Sequence, residues 1–243
     1  MKNIHVENYF DHISTDYKNN FNIKKSSKNY IFIKRKRIAT SLLSKRSGNF
    51  LDIATGSGEI TSAILNKNKF KKITLIDISM QMLNKVKTRL KNKKKYSKIQ
   101  FINSDFSKLR LNFKYDYIIC LGILAHFPSN RIFFNNLKRF SKKGTIILLQ
   151  SSLLNFPTIK INKILFSNRY NKKFKYKLNY IKEKNLNKFF KKNGFKVLEV
   201  KRYSLAIPVL DKIFPTINYY IDLLFDKIFP NNGSEGIFLL KKL

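Results

Sequence analysis

Asn49-Phe-Leu-Asp-Ile-Ala-Thr-Gly-Ser-Gly-Glu-Ile-Thr-Ser-Ala-Ile-Leu65 joins a short apolar run, an acid, a glycine-bearing turn and the start of a helical pattern. This reads as a strand–loop–helix unit with a carboxylate, Asp52, at the strand end. Gly56 and Gly58 lack a Cβ, so the backbone between them can turn tightly and approach a ligand. A dinucleotide site needs Gly-x-Gly-x-x-Gly with a pyrophosphate on the helix N-terminus. Here Thr61 holds the place of the third glycine, and Asp52 would repel a pyrophosphate. A ligand with an amino-acid moiety and no phosphate suits the loop better, because its ammonium is attracted to the acid. An ordinary strand-to-helix turn is the plain alternative.

The sequence downstream repeats the arrangement. Ile73–Ile76 is a buried-strand pattern closing on Asp77, about 20 residues past the loop, where an acid can accept both ribose hydroxyls in a βαβ nucleotide fold. Phe101-Ile-Asn-Ser-Asp105 is another short strand closing on an acid, followed by Phe106. Tyr115–Gly122 is a fourth strand, followed by Ile123-Leu-Ala-His-Phe-Pro128. Successive strands ending in Asp52, Asp77 and Asp105 place three carboxylates on one edge of a parallel sheet, outside whose carboxyl ends ligands bind.

With these pieces in this order, the chain resembles the class I, Rossmann-like methyltransferases that use S-adenosylmethionine (SAM), from about Tyr9 to its end. The resemblance implies that Asp52, Ala54, Gly56 and Gly58 surround the methionine part of SAM. It implies Asp77 at the ribose hydroxyls, Ile78 and Met82 beside the adenine, Asp105 and Phe106 at the adenine amine and ring, and Leu121 flanking the cofactor. Ala54 departs from the family's usual glycine, although a similar Asp-x-Ala-x-Gly-x-Gly variant occurs in quinone-biosynthesis members. Tyr9-Phe-Asp-His-Ile-Ser-Thr-Asp-Tyr17 resembles the opening of many small-molecule methyltransferases, in which this segment lids the cofactor and the tyrosine, here Tyr17, touches it. A helix packed on the sheet edge is the competing reading.

Strands are expected near 49–54, 73–77, 99–103, 115–121 and 145–150, with the Lys142-Lys-Gly144 turn leading into the fifth. Their spacing demands parallel pairing with helical crossovers. A helix over 185–193 stopped by Gly194 precedes a strand over 195–200, and the last strand covers 235–240. The family pattern inserts that last strand antiparallel beside the fifth. The expected fold is therefore α/β: a doubly wound, three-layer α/β/α sandwich with a seven-stranded, mostly parallel sheet and an antiparallel last strand. Residues 1–48 form an N-terminal helical lid segment, with an amphipathic pattern over 30–43. Residues 49–243 form the SAM-binding domain, with insertions at 153–180 and 205–230.

The chain has 243 residues, with 50 Lys+Arg against 14 Asp+Glu, a net charge of +36. A large positive field attracts RNA, acidic lipid or a phosphorylated substrate. The excess is mostly lysine, dispersed along the chain and accompanied by Asn, Ile, Phe and Tyr, which is also what an A+T-rich genome produces. Nucleic acid is thus an admissible but not the favoured partner. No apolar run approaches the roughly 20 residues that span a bilayer, and the N-terminus lacks a signal-peptide pattern. The expectation is a soluble, cytoplasmic protein with no metal centre. The single cysteine, Cys120, reads as a small core residue.

Substrate specificity falls to the insertions, since the sheet edge is committed to the cofactor. Residues 205–230 carry a local echo, Asp211-Lys-Ile-Phe-Pro215 and Asp226-Lys-Ile-Phe-Pro230, and place Ile217, Tyr220, Ile221, Leu224, Phe225 and Ile228 on one helical face. That face suits a greasy substrate, peripheral membrane contact or a dimer, against the plain reading of a helix pair packed on the domain. The oligomeric state stays open. His126 stands just past the fourth strand as the candidate general base for a hydroxyl acceptor, or as a structural cap before Pro128; Tyr17 and Arg37 are further candidates for closing the site. The leading expectation is methyl transfer to a lipid-, quinone- or saccharide-like small molecule. RNA methylation is an alternative, weakened by Leu121-Gly-Ile-Leu124 where the RNA amine enzymes carry Asn/Asp-Pro-Pro-Tyr. A non-catalytic SAM-binding interaction protein is another.

Overall fold

A computed structural model describes residues 2–15, 25–92, 96–205 and 207–243; Tyr17 lies outside them. Two helices, α1 (Lys2–Ser14) and α2 (Ser27–Leu42), precede the sheet. The sheet strands are β1 (Ser47–Ile53), β2 (Lys69–Asp77), β3 (Ile99–Asn103), β4 (Tyr115–Leu121), β5 (Ser141–Ser152), β6 (Phe195–Tyr203) and β7 (Glu235–Lys242). Their order is β3-β2-β1-β4-β5-β7-β6. The first five pair in parallel, and β7 enters antiparallel to both β5 and β6. The crossover helices are α3 (Glu59–Asn66), α4 (Met80–Leu90), α5 (Asn130–Phe140) and α7 (Glu183–Lys192). This is the doubly wound α/β/α sandwich expected, with the antiparallel strand where it was placed.

Both faces of the sheet are covered, so its central strands carry near-continuous apolar runs. On β1 the alternation is strict. Leu51 and Ile53 join the core under Phe133, Phe134 and Phe140 of the α5 side. Phe50 joins the opposite core with Ala39, Leu43 and Ile64. Cys120 is fully buried with its thiol near the Leu148 carbonyl, as a core residue should be. The crossover α4 begins at Ser79, whose hydroxyl accepts from the Met82 N–H, and it buries Met82, Leu83, Val86 and Leu90 on one face. Lys142-Lys-Gly144 proves to be an excursion inside β5 rather than a turn before it. Ser141 already pairs with Tyr115, and regular pairing resumes at Ile146 opposite Tyr117. Gly144, at φ +87°, makes the excursion.

The insertions are helical. Residues 153–180 contain α6 (Pro157–Phe174), and 205–230 contain α8 (Pro208–Ile213) and α9 (Pro215–Ile228). The last pair packs on α2, but with its polar side inward. Asn218 and Asp222 are fully buried, while Ile217, Tyr220, Leu224 and Ile228 face out. Asp222 accepts from the hydroxyls of Ser27 and Ser204 and from the Leu205 N–H at 2.7 Å. The echo now has a structural meaning. Asp211 accepts from the Ser27 N–H in the first turn of α2 (2.6 Å), where a carboxylate is favoured by the helix dipole. Asp226 accepts from Tyr30 and pairs with Lys34 at 2.9 Å. Among the described residues no helix is long and apolar enough to cross a membrane.

Candidate active site

The β1–α3 loop is built around two left-handed residues and a tether. Ala54 (φ +62°) and Gly56 (φ +54°) turn the chain over the top of β2. There the N–H groups of Ala54 and Thr55 both donate to the Ile76 carbonyl, at 2.8 and 3.1 Å. The Gly56 N–H donates to Asp77 Oδ2 at 2.8 Å, and the Ser79 N–H to Asp77 Oδ1 at 2.9 Å. One carboxylate thus fixes both the glycine loop and the start of α4. Gly58 caps α3 at φ +73°, where an added Cβ would stand 3.0 Å from Val86.

Above these strand ends lies a cavity of about 950 Å³. Ala54, Gly56, Asp77, Ile78, Asp105, Phe106, Leu121 and His126 all line it. Asp52 does not: it is buried, accepts from the Thr61 hydroxyl, and borders a small adjoining recess with Thr55. The residue that breaks the dinucleotide pattern is therefore the partner of the strand-end acid. Met82 is wholly buried under α4 and Gly58 sits at the helix cap, so neither reaches the cavity.

Burial pushes the Asp52 carboxyl up to about 7, with the Thr61 hydroxyl opposing and the Asp77 charge adding to the rise. Burial raises Asp77 to about 6 against the pull of its backbone N–H donors. The folded chain therefore holds protons that the unfolded chain releases, and these two acids cost the ligand-free fold stability as pH rises from the ordinary carboxylate range through about 7. Ligand hydroxyls donating to Asp77 favour its ionised form. Calorimetric affinity for S-adenosylhomocysteine (SAH) is accordingly expected to rise with pH up to about 6 and then level off.

The α1 residues Val6, Tyr9, Phe10 and Ile13 also line the cavity. Tyr9 packs on Phe174 of α6 with ring centroids 4.6 Å apart, and α1 is tied to α4 where the Ser79 hydroxyl donates to Asp11. His126 ends a short 3₁₀ turn, Leu124–His126, with Nδ1 2.7 Å from the Tyr176 hydroxyl and its ring between Phe10 and Phe174. Burial pushes the Tyr176 phenol well up, so it stays protonated at neutral pH.

Several cavity residues escaped the sequence. Arg35 lines the cavity, whereas Arg37, two positions along the same helix, is exposed. Arg35 and Gln150 lie under the turn after β4, where a Cβ on Gly122 would come 3.4 Å from Arg35 Nη1. Glu235 joins them: burial raises its carboxyl, and Arg35, Ser152 and Gln150 pull it back. Position at the carboxyl end of β5 was the one available signal for Gln150. Gln150 Oε1 and Thr55 Oγ1 are buried with no hydrogen-bond partner among the described residues, one on the cavity and one on the recess.

These features fit SAM. Ala54 and Gly56 bring the loop backbone to the cavity wall, Asp77 faces the cavity for a ribose, Phe106 and Ile78 offer apolar surface for a base, and the Gln150 and Thr55 side-chain oxygens are buried without partners among the described residues. The family comparison agrees. Residues 27–200 match the family described as Methyltransferase domain. The chain belongs to this family, the class I SAM-dependent methyltransferases, whose methyl donor is SAM. Malonyl-(acyl-carrier protein) O-methyltransferase 2 of Ilyobacter polytropus is 31% identical over 103 residues, covering 42% of this chain and 39% of that protein. Ribosomal RNA small subunit methyltransferase A of Mesomycoplasma hyopneumoniae is 27% identical over 121 residues, covering 49% and 44%. The chain thus spans less than half the length of the curated relatives it matches. The crystal structure of magnesium protoporphyrin IX methyltransferase from Synechocystis PCC 6803 with bound SAH shares the fold over 100% of both chains, with TM-score 0.68 and 15% identity.

Proposed function

We propose that this chain transfers the methyl group of SAM to a small acceptor with an apolar body, lipid-like or quinone-like. The observation that carries this reading is the lining of the cavity. Alongside the strand-end residues it presents the apolar side chains of Phe10, Phe127, Phe174 and Ile213. Such a lining rewards burial of apolar surface at about 25 cal/mol per Å², whereas a saccharide would leave its hydroxyls against rings.

When bound, SAM supplies a methyl group activated by its sulfonium. The chain supplies position and proton handling. Asp77 holds the ribose and the Ala54–Gly58 loop the methionine part, with Asp105 and Phe106 at the adenine. The residues 1–48 act as a lid through α1, which excludes water from the reacting end. The His126 ring is fixed by Tyr176 and by the flanking phenylalanines, and it takes the acceptor proton when the acceptor is a hydroxyl.

The net charge of +36 supports a second reading, methylation of RNA. One experiment separates them. The purified chain is incubated with methyl-labelled SAM and, in turn, a lipid extract and total RNA. Label in the organic phase is the expected result. Label confined to RNA, with binding that weakens steeply with salt, overturns the proposal in favour of RNA. SAH binding with no transfer to either fraction favours a non-catalytic partner protein.

A further inference from the structure

We infer that the outer face of α8 and α9 docks on a bilayer surface bearing anionic lipids, with the cavity opening beside it. The helix pair is inverted relative to an ordinary surface helix. Asn218 and Asp222 occupy the buried side, and Asp211 and Asp226 are committed to α2. Ile213, Ile217, Leu224, Ile228 and Phe229 are each more than half exposed. The buried hydrogen bonds fix this orientation, since turning the helix over would leave the buried hydroxyls of Ser27 and Ser204 without their acceptor. A contiguous apolar face of this kind on a protein surface marks a contact.

The surroundings select the partner. Lys25 stands beside the outer ring Tyr220, with Nζ 2.6 Å from its hydroxyl. Lys212 and Lys227 are exposed on the same two helices. An apolar face rimmed by lysines on a strongly basic chain complements acyl chains below anionic headgroups, and net charge of one sign disfavours a second copy of this chain there. The apolar surface is also continuous with the site: Ile213 lines the cavity while more than half exposed, and α6, whose Phe166 and Phe174 line the cavity too, exposes Ile161, Ile164 and Leu165. An acceptor dissolved in the bilayer would enter without crossing water; this last step rests on the proposed acceptor class, and docking itself does not.

The chain has no tryptophan, so Leu224→Trp makes a single reporter. The intact variant is mixed with vesicles of phosphatidylcholine alone or of phosphatidylcholine with phosphatidylglycerol. A blue shift of tryptophan emission with the anionic vesicles is expected. The double variant Ile217→Ser, Leu224→Ser should lose co-sedimentation with those vesicles by at least about tenfold, while its SAH affinity and melting temperature match the parent. An unshifted emission, or a double variant that sediments as well as the parent, overturns docking in favour of mere surface electrostatics. A parent that is dimeric in solution, ignores vesicles and becomes monomeric on the double substitution assigns the face to a second copy instead. Because SAH binding is read separately, failure of docking is distinguishable from failure of the methyltransferase reading.

Discussion

Asp77→Ala is expected to weaken SAH binding by more than tenfold, a loss of more than about 1.4 kcal/mol. Two effects combine. The substitution removes the acceptor proposed for the ribose hydroxyls, and it releases the Gly56 and Ser79 N–H groups that hold the loop and the first turn of α4 in place. Folding stability should fall by less than those lost bonds suggest. Burial opposes the ionised carboxyl here, as its rise to about 6 shows, so removing it also removes a desolvation cost. Asp77→Asn keeps the size and one acceptor oxygen and should fall between the parent and the alanine variant. Isothermal calorimetry on all three proteins checks the order, and an unchanged affinity in Asp77→Ala would show that the ribose lies elsewhere.

Asp222→Ala is expected to destabilise the fold by about 3 kcal/mol, on the order of 1–3 kcal/mol for each buried donor left unsatisfied. The carboxylate is fully buried and joins α9 to two other parts of the chain: Ser27 at the start of α2, and Ser204 and Leu205 after β6. No neighbouring side chain replaces it. A thermal melt should show the loss as a drop of several degrees. The cofactor end should be spared, because its residues stand on β1, β2 and β3, so SAH affinity at a temperature where the variant is folded should match the parent. Acceptor turnover should fall instead, since Asp211–Ile213 of α8 line the cavity and α8 leads into the helix that carries Asp222. A Ser27→Ala variant and the double variant close a cycle; strong coupling between the two positions is expected for groups in direct contact.

The parts legible in the sequence were those written in local patterns. Apolar runs closing on Asp77 and Asp105 located strand ends, and the glycine turn located the loop. The place of β7 followed from the family resemblance, because nothing local in 235–240 tells an antiparallel insertion from an outer strand. What escaped depended on long-range pairing. A helical pattern shows that Ile217, Tyr220, Leu224 and Ile228 share a face, but not which face turns inward. That was settled by Asp222 and Asp226 meeting Ser27, Tyr30 and Lys34, more than 190 residues earlier. The same holds for Arg35 over Arg37, where two residues of helix rotation decide between cavity and solvent. Met82 illustrates the converse: its position in the motif suggests adenine, while the N-cap at Ser79 turns it into the core. Asp52, similarly, spends its strand-end position on Thr61.

The most direct test of the central claim is a crystal structure of the chain with SAH. The expected electron density places the ribose hydroxyls on Asp77 and the adenine against Phe106. The sulfur should face His126 and Phe174. Ribose density away from Asp77, adenine density away from Phe106, or a sulfur turned away from His126 and Phe174, would contradict it.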